Sequence, residues 1–183
     1  MTGLARTGWR RAAALCAALA LAAAGSAPSQ PVAPPATLAV AGDAVTALTF
    51  DLAALRRLPV REFEDVRQLR GGQTSAAPEQ VRRYSGVLLR DVIAAARPVE
   101  RQRHDLRQSI VIATAADGYR AIFSWSELFL SPIGDGALVV LERDGAPLPA
   151  DEGPLALVSL RDANAGPRHV KWLSRIELRR VSD

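Results

Sequence analysis

The spacing of apolar positions changes several times along the chain, and each change predicts an element. Thr37 to Val45 reads as a strand or hairpin, with Gly42 and Asp43 at its turn. Leu52, Leu55 and Leu58 recur at helical spacing, with Asp51 as N-cap and Pro59 as the stop. Val60 to Leu69 alternates in part and predicts a strand, followed by a loop over Arg70 to Pro78 with adjacent Gly71 and Gly72. Leu88, Leu89, Val92 and Ile93 form one apolar face, which predicts a helix beginning just after Ser85 or Gly86, running to about Ala96 and stopped by Pro98. Ser109 to Ala115 is a continuous β-branched and apolar run, as expected of a buried strand. It is joined through Asp117-Gly118 to Tyr119–Ser124, the strongest short hairpin signal in the chain. A helical turn over Ser126 to Leu130, a strand over Gly136 to Leu141, a turn at Asp144-Gly145 and a strand over Leu155 to Leu160 follow. Arg161 to Arg168 is a polar loop. Val170 to Val181 alternates: Val170, Trp172, Ile176 and Leu178 are expected to face the core, and Lys171, Arg175, Glu177 and Arg179 to face water. The sum is a single α+β domain, mixed and β-rich, over 37–183.

The first residues do not fit that pattern. Arg6, Arg10 and Arg11 precede an unbroken run of Ala, Leu and Cys from Ala12 to Ala24, and Gly25, Ser26 and Ala27 are small. A positive start, an apolar middle and a small-residue end make a secretory signal, read here over 1–27, with cleavage after Ala24 or Ala27. The apolar run falls short of the roughly 20 residues a bilayer span needs, so no membrane span is expected once the signal is removed. Residues 28–36 carry Pro28, Pro31, Pro34 and Pro35 and read as a linker. The expected location is therefore periplasmic or secreted.

Export changes what charge and cysteine mean. The chain has 23 Lys+Arg against 19 Asp+Glu, a net charge of +4; without the three signal arginines the balance is 20 against 19. No basic run interleaved with aromatics remains, so no nucleic-acid partner is expected. The one cysteine, Cys16, lies inside the apolar run and is not followed by the end of that run, as a lipid-attachment cysteine would be. The mature chain thus offers no disulfide, no thiolate ligand and no cysteine nucleophile. Two scattered histidines, His104 and His169, exclude a zinc site of ordinary spacing. Gly71-Gly72 lacks the spacing of a phosphate or dinucleotide loop. No nucleophile-elbow signature surrounds Ser85 or Ser159. No residue is singled out as catalytic, and none as a metal ligand.

Three segments carry a family resemblance. They are Tyr84-Ser85-Gly86-Val87-Leu88-Leu89-Arg90-Asp91-Val92-Ile93; Ala116-Asp117-Gly118-Tyr119 with Phe123-Ser124-Trp125-Ser126-Glu127-Leu128; and Gly153-Pro154-Leu155-Ala156-Leu157-Val158 with Gly166-Pro167-Arg168-His169-Val170-Lys171-Trp172-Leu173-Ser174-Arg175-Ile176. In this order they resemble the oxidoreductase molybdopterin-binding domain, the fold shared by sulfite oxidase, plant nitrate reductase and bacterial methionine-sulfoxide reductase subunits. The resemblance runs from about Thr37 to Arg179. It implies a sulfite oxidase-type fold and the molybdenum–molybdopterin cofactor, and it implies that Gly166, Arg168, His169 and Lys171 contact the pterin phosphate. Arg and Lys suit an anion, and Gly166 would admit close backbone approach. A second reading stays open for Arg168 and Lys171, as solvated charges on the last strand.

The chain departs from that family at one point. The resemblance places a metal-ligating cysteine between the first strand–helix unit and the Tyr84 segment, near 69–75, where this sequence has Leu-Arg-Gly-Gly-Gln-Thr-Ser. Soft thiolate is what the metal position needs. The expectation is therefore an exported binding or accessory domain without its own molybdenum thiolate, taking an anionic small molecule or a pterin. The alternative is a molybdenum-dependent oxidoreductase with a non-cysteine ligand. Whether the chain is an enzyme stays open, with the weight on no. Trp125 and Trp172 are expected in the core.

Overall fold

The computed structural model describes residues 36–43, 45–65, 81–164 and 166–181. The expected signal over 1–27, nearly all of the expected linker over 28–36, and the 69–75 stretch lie outside the described residues. All described residues belong to one compact unit, Pro34–Asp183.

Ten strands, three short α-helices and two 3-10 turns follow one another among the described residues. They are β1 (Thr37–Gly42), β2 (Leu48–Asp51), α1 (Leu52–Leu55), β3 (Val60–Asp65), β4 (Arg82–Leu88), α2 (Leu89–Ala95), β5 (Ser109–Ala115), β6 (Arg120–Ser124), α3 (Trp125–Leu130), β7 (Ala137–Arg143), β8 (Ala146–Pro147), β9 (Ala156–Ser159) and β10 (Leu173–Arg180), with 3-10 turns at Asp105–Gln108 and Pro132–Asp135. They form two sheets. One has the order β2-β1-β10-β5-β6; the other runs β3-β4-β7-β8, with β9 also on β7. The pairing of β1 with β10 is parallel. The other pairings described are antiparallel.

The main core joins the sheets. Leu38, Val40, Val111, Phe123, Ile176 and Leu178 from the first meet Val87, Val139, Leu141 and Leu157 from the second, with Leu89, Val92 and Ile93 of α2 and Leu128 of α3. A smaller cluster gathers Tyr84, Leu88, Leu138, Val140, Ala156 and Val158. Strand β7 contributes alternate residues to each cluster, so both of its faces are buried. That is why its sequence reads as an unbroken apolar run rather than an alternating one.

The mixed, β-rich α+β architecture expected from the sequence is the one observed. Strand β5 has the predicted bounds, Asp51 caps α1 through an oxygen 2.6 Å from the Ala54 amide, and both Asp-Gly turns join antiparallel strands. Four expectations need correction. Leu48–Asp51 pairs with β1 as a strand the apolar spacing did not announce. Val87 and Leu88 belong to the strand, and the helix starts only at Leu89, because β4 is hydrogen-bonded on both sides, to β3 and β7, and that ladder claims Leu88 from the helical face it forms with Leu89, Val92 and Ile93. The last strand begins at Leu173, with a register shift between Leu173 and Arg175, so Leu173 rather than Trp172 is buried there. Trp172, expected in the core, is 46% exposed, whereas Trp125 packs against the main core as expected and stacks on Phe129 at 3.8 Å.

Gly86 shows how closely β4 and β7 approach at their register shift. A Cβ there would stand 2.1 Å from the Val139 carbonyl oxygen. No helix among the described residues is long and apolar enough to cross a membrane.

Candidate functional site

The segment from Gly166 to Trp172 lies between β9 and β10. Val170 is its anchor: its amide donates to the Leu157 carbonyl, and its own carbonyl accepts from the Leu157 amide, both at 2.8 Å. Val170 is fully buried, so its neighbours must diverge around it, and they do.

Arg168 turns toward α3. Its Nε and Nη2 donate to the two carboxylate oxygens of Asp162 at 2.7 and 2.5 Å, a bidentate pair, and Nη1 donates to Glu127 Oε1 at 3.1 Å. Its guanidinium carbon lies 4.4 Å from the centre of the Phe123 ring. Only 20% of the side chain is exposed, and 13% of Asp162. Burial opposes the positive charge, but Asp162 and then Glu127 outweigh it and raise the Arg168 pKa. Glu127 also completes a capping box at the start of α3: its Oε2 accepts from the Ser124 amide at 2.7 Å, while the Ser124 hydroxyl accepts from the Glu127 amide at 3.1 Å. Burial works against ionisation of Glu127, yet these bonds and Arg168 hold its pKa below the ordinary carboxylate value. One carboxylate thus caps a helix and pins the closing loop.

His169 turns away from that knot. Its side chain is 8% exposed, and its Nε2 lies 3.7 Å from Glu152 Oε2, on a side chain that is 5% exposed. That distance is too long for a hydrogen bond, and both atoms are buried without a hydrogen-bond partner among the described residues. The other Glu152 oxygen accepts from Arg143 Nη1 at 2.6 Å. Arg143 stands opposite Tyr84 across β4 and β7. Burial is the main reason the His169 pKa is lowered. Glu152 opposes the shift, and Lys171, Arg82 and Arg143 add to it. Burial likewise raises the Tyr84 pKa, against a hydrogen bond from Arg82.

Lys171 is exposed, and its Nζ donates to the exposed Asp151 at 2.8 Å. That hydrogen bond lowers the Asp151 pKa. Gly166 is exposed, and a Cβ placed on it would have no atom within 4 Å. The four residues named from the sequence therefore share one loop but not one pocket. Arg168 belongs to a knot with Asp162, Glu127 and Phe123; His169 belongs to a buried cluster with Glu152 and Arg143; Lys171 and Gly166 are at the surface.

Residues 29–182 match the sequence model of the oxidoreductase molybdopterin binding domain family. The chain belongs to that family. Among solved structures it is similar to the sulfane dehydrogenase SoxCD from Paracoccus pantotrophus, with 19% sequence identity and a TM-score of 0.59, over 78% of this chain. The match covers 38% of the SoxCD chain, and at this identity the likeness speaks for the fold. No curated protein matches the sequence.

Family membership makes molybdopterin the first group to test against these residues. The fit fails at the metal. The sequence has no cysteine beyond Cys16 to supply the soft thiolate that the metal position needs. At the anion, Arg168 is already matched on both faces of its fork. Lys171 is held only by an exposed partner, an interaction worth roughly 0–1 kcal/mol and readily exchanged.

The sequence reading missed Glu152, Arg143 and Glu127. Ser124-Trp125-Ser126-Glu127 does carry the capping-box pattern, which would have marked Glu127. Nothing local marks Glu152, whose importance comes from burial beside two residues of other segments.

Proposed function

We propose that this chain is an exported accessory or binding domain of the molybdopterin-binding oxidoreductase family that carries no molybdenum thiolate of its own. The observation that carries this reading is the cysteine-free sequence after Cys16. Export is supported by the basic, apolar and small-residue succession of residues 6–27. An anionic small molecule or a pterin is the ligand class that Lys171 and its neighbours favour. Family membership supports a second reading, a molybdenum-dependent oxidoreductase with a non-cysteine ligand.

One preparation tests both. The full chain is expressed in a cofactor-competent host and recovered from outside the cytoplasm. Its mass should show a new N-terminus within 25–28, molybdenum by elemental mass spectrometry should be absent, and acid oxidation should release no molybdopterin-derived fluorescence in stoichiometric amount. Near-stoichiometric metal and pterin would replace the proposal with the second reading. An intact N-terminus on protein found only in the cytoplasm would overturn export.

A further inference from the structure

The connection from α2 to β5 is fastened to the end of β10 by one side chain. Arg180 is only 14% exposed. Its Nε donates to Asp105 at 2.9 Å, and its Nη1 and Nη2 donate to the carbonyls of Asp43 and Val99. Its amide donates to the Asp43 carboxylate at 3.0 Å, and the next amide, of Val181, donates to the Gln108 carbonyl at 3.0 Å. Two non-glycine residues of the connection stand in the left-handed region, Arg97 at φ 51° and His104 at φ 69°. Such conformations persist where the surroundings over-determine them.

The acidic groups of this end are engaged by main chain and by Arg180. Glu100 accepts from the His104 amide at 2.5 Å, and Asp105 accepts from the Arg101 amide at 3.0 Å as well as from Arg180. The remaining arginines are left to water. Arg97, Arg101, Arg103, Arg107 and Arg179 are all exposed, and none of them forms an ion pair among the described residues. Arg179 belongs to the same end, because it stands opposite Ile110 at the start of β5. With Arg180 and Asp43 counted, six arginines stand here against three carboxylates. After the expected signal the whole chain balances at 20 against 19, so 14 against 16 remain elsewhere. The positive charge is therefore concentrated at this end. Two apolar side chains stand among the arginines, Val99 at 49% exposed and Val181 at 59%.

We infer that this arginine-rich end is a docking surface for an anionic lipid bilayer. Guanidinium groups without carboxylate partners suit the negative headgroups of such a surface. Arginine stems and the two valines suit the less polar layer just beneath, since long cationic side chains rest their carbons on apolar surface and keep the charge in water. The connection carries no Phe, Trp or Tyr on which unpaired bases could stack, so a lipid surface fits better than a single-stranded nucleic acid. The surface uses none of the closing-loop residues, and it stands under either reading of the function.

The test is co-sedimentation of the exported chain, its new N-terminus verified by mass, with vesicles of phosphatidylcholine alone or mixed two to one with phosphatidylglycerol. Saturable binding is expected only to the mixed vesicles, and it should weaken strongly between about 0.05 and 0.5 M salt as screening rises. Replacing Arg103, Arg107 and Arg179 together by Gln should weaken it by about tenfold or more. Among the described residues these three side chains make one hydrogen bond, from Arg103 to His104, so the variant should keep the parent's circular dichroism and thermal midpoint. The matched variant Arg57→Gln, Arg61→Gln, Arg120→Gln removes the same charge from other exposed positions and should stay within about threefold of the parent, because the attraction fades over a screening length. Equal binding by the first variant and the parent would overturn the proposal, as would equal binding to vesicles with and without phosphatidylglycerol. Binding to heparin that the first variant loses, with none to the mixed vesicles, would overturn it in favour of a soluble polyanion.

Discussion

Replacing Arg168 by Met separates the two roles this residue could have. In the structure the guanidinium makes a bidentate pair with Asp162, a third bond to Glu127 and a face contact with Phe123. Removing one partner of a fully buried ion pair costs about 3–5 kcal/mol, because the other charge is left without compensation. Asp162 is nearly as buried as that, but Arg168 keeps some contact with water, so the ionic loss is reduced to about 2–3 kcal/mol by screening. The lost cation over Phe123 adds about 0.5–1 kcal/mol, while Met still covers the ring. The expected total is about 2.5–4 kcal/mol, and at about 2–4 °C per kcal/mol for a chain of this size the midpoint falls by roughly 5–15 °C. Urea unfolding followed by far-UV circular dichroism measures the free energy, and a thermal scan the midpoint. Adding Asp162→Asn should recover part of the loss, because it removes the carboxylate that loses its bidentate partner in Arg168→Met. A loss below about 0.5 kcal/mol, within the range of an ordinary surface substitution, would refute the argument and return Arg168 to the pool of free cations available to a ligand.

His169 predicts a pH dependence of stability. Its pKa in the folded chain lies below the ordinary 6.5, so below pH 6.5 the unfolded chain binds the proton more readily than the folded one. Stability is then full above pH 6.5 and declines as pH falls toward the lowered folded value. Urea unfolding at roughly pH 5.5 and 7.5 should show the decline, and His169→Asn should flatten it; a parent chain as stable at the lower pH would count against burial of a neutral imidazole. Gly86→Ala should cost about 3 kcal/mol or more, since the new Cβ meets main chain rather than a flexible side chain. A cost below 1 kcal/mol in the same urea assay would mean that β4 and β7 do not approach as closely as described.

Much of this fold is legible without coordinates where the signal is local. The Asp-Gly dipeptides at 117–118 and 144–145 mark their turns because the turn conformation is a property of the residues themselves. The unbroken apolar run in β7 announces a strand buried on both faces, whereas β5 buries one face and leaves Ile110 and Thr114 on the other only part-buried. The departure at the missing cysteine is likewise a fact of composition and order. What failed was decided by partners distant in sequence. Leu88 shares helical spacing with Leu89, Val92 and Ile93, yet β3 and β7 supply hydrogen bonds to both edges of its segment, and the ladder keeps it in the strand. The slip from Trp172 to Leu173 depends on the register with β5.

The site shows the same division. The family resemblance pointed to Gly166, Arg168, His169 and Lys171 as one basic loop. Only the tertiary structure decided which way each points, because burying Val170 between them forces its neighbours apart. Arg168 finds its partners 6 and 41 residues away in Asp162 and Glu127. His169 meets Glu152 only because the Pro149–Gly153 turn folds under the closing loop. Charge and residue type are written into the chain; the partner that neutralises a charge, or leaves it free to bind, is a matter of distance, and distance belongs to the fold.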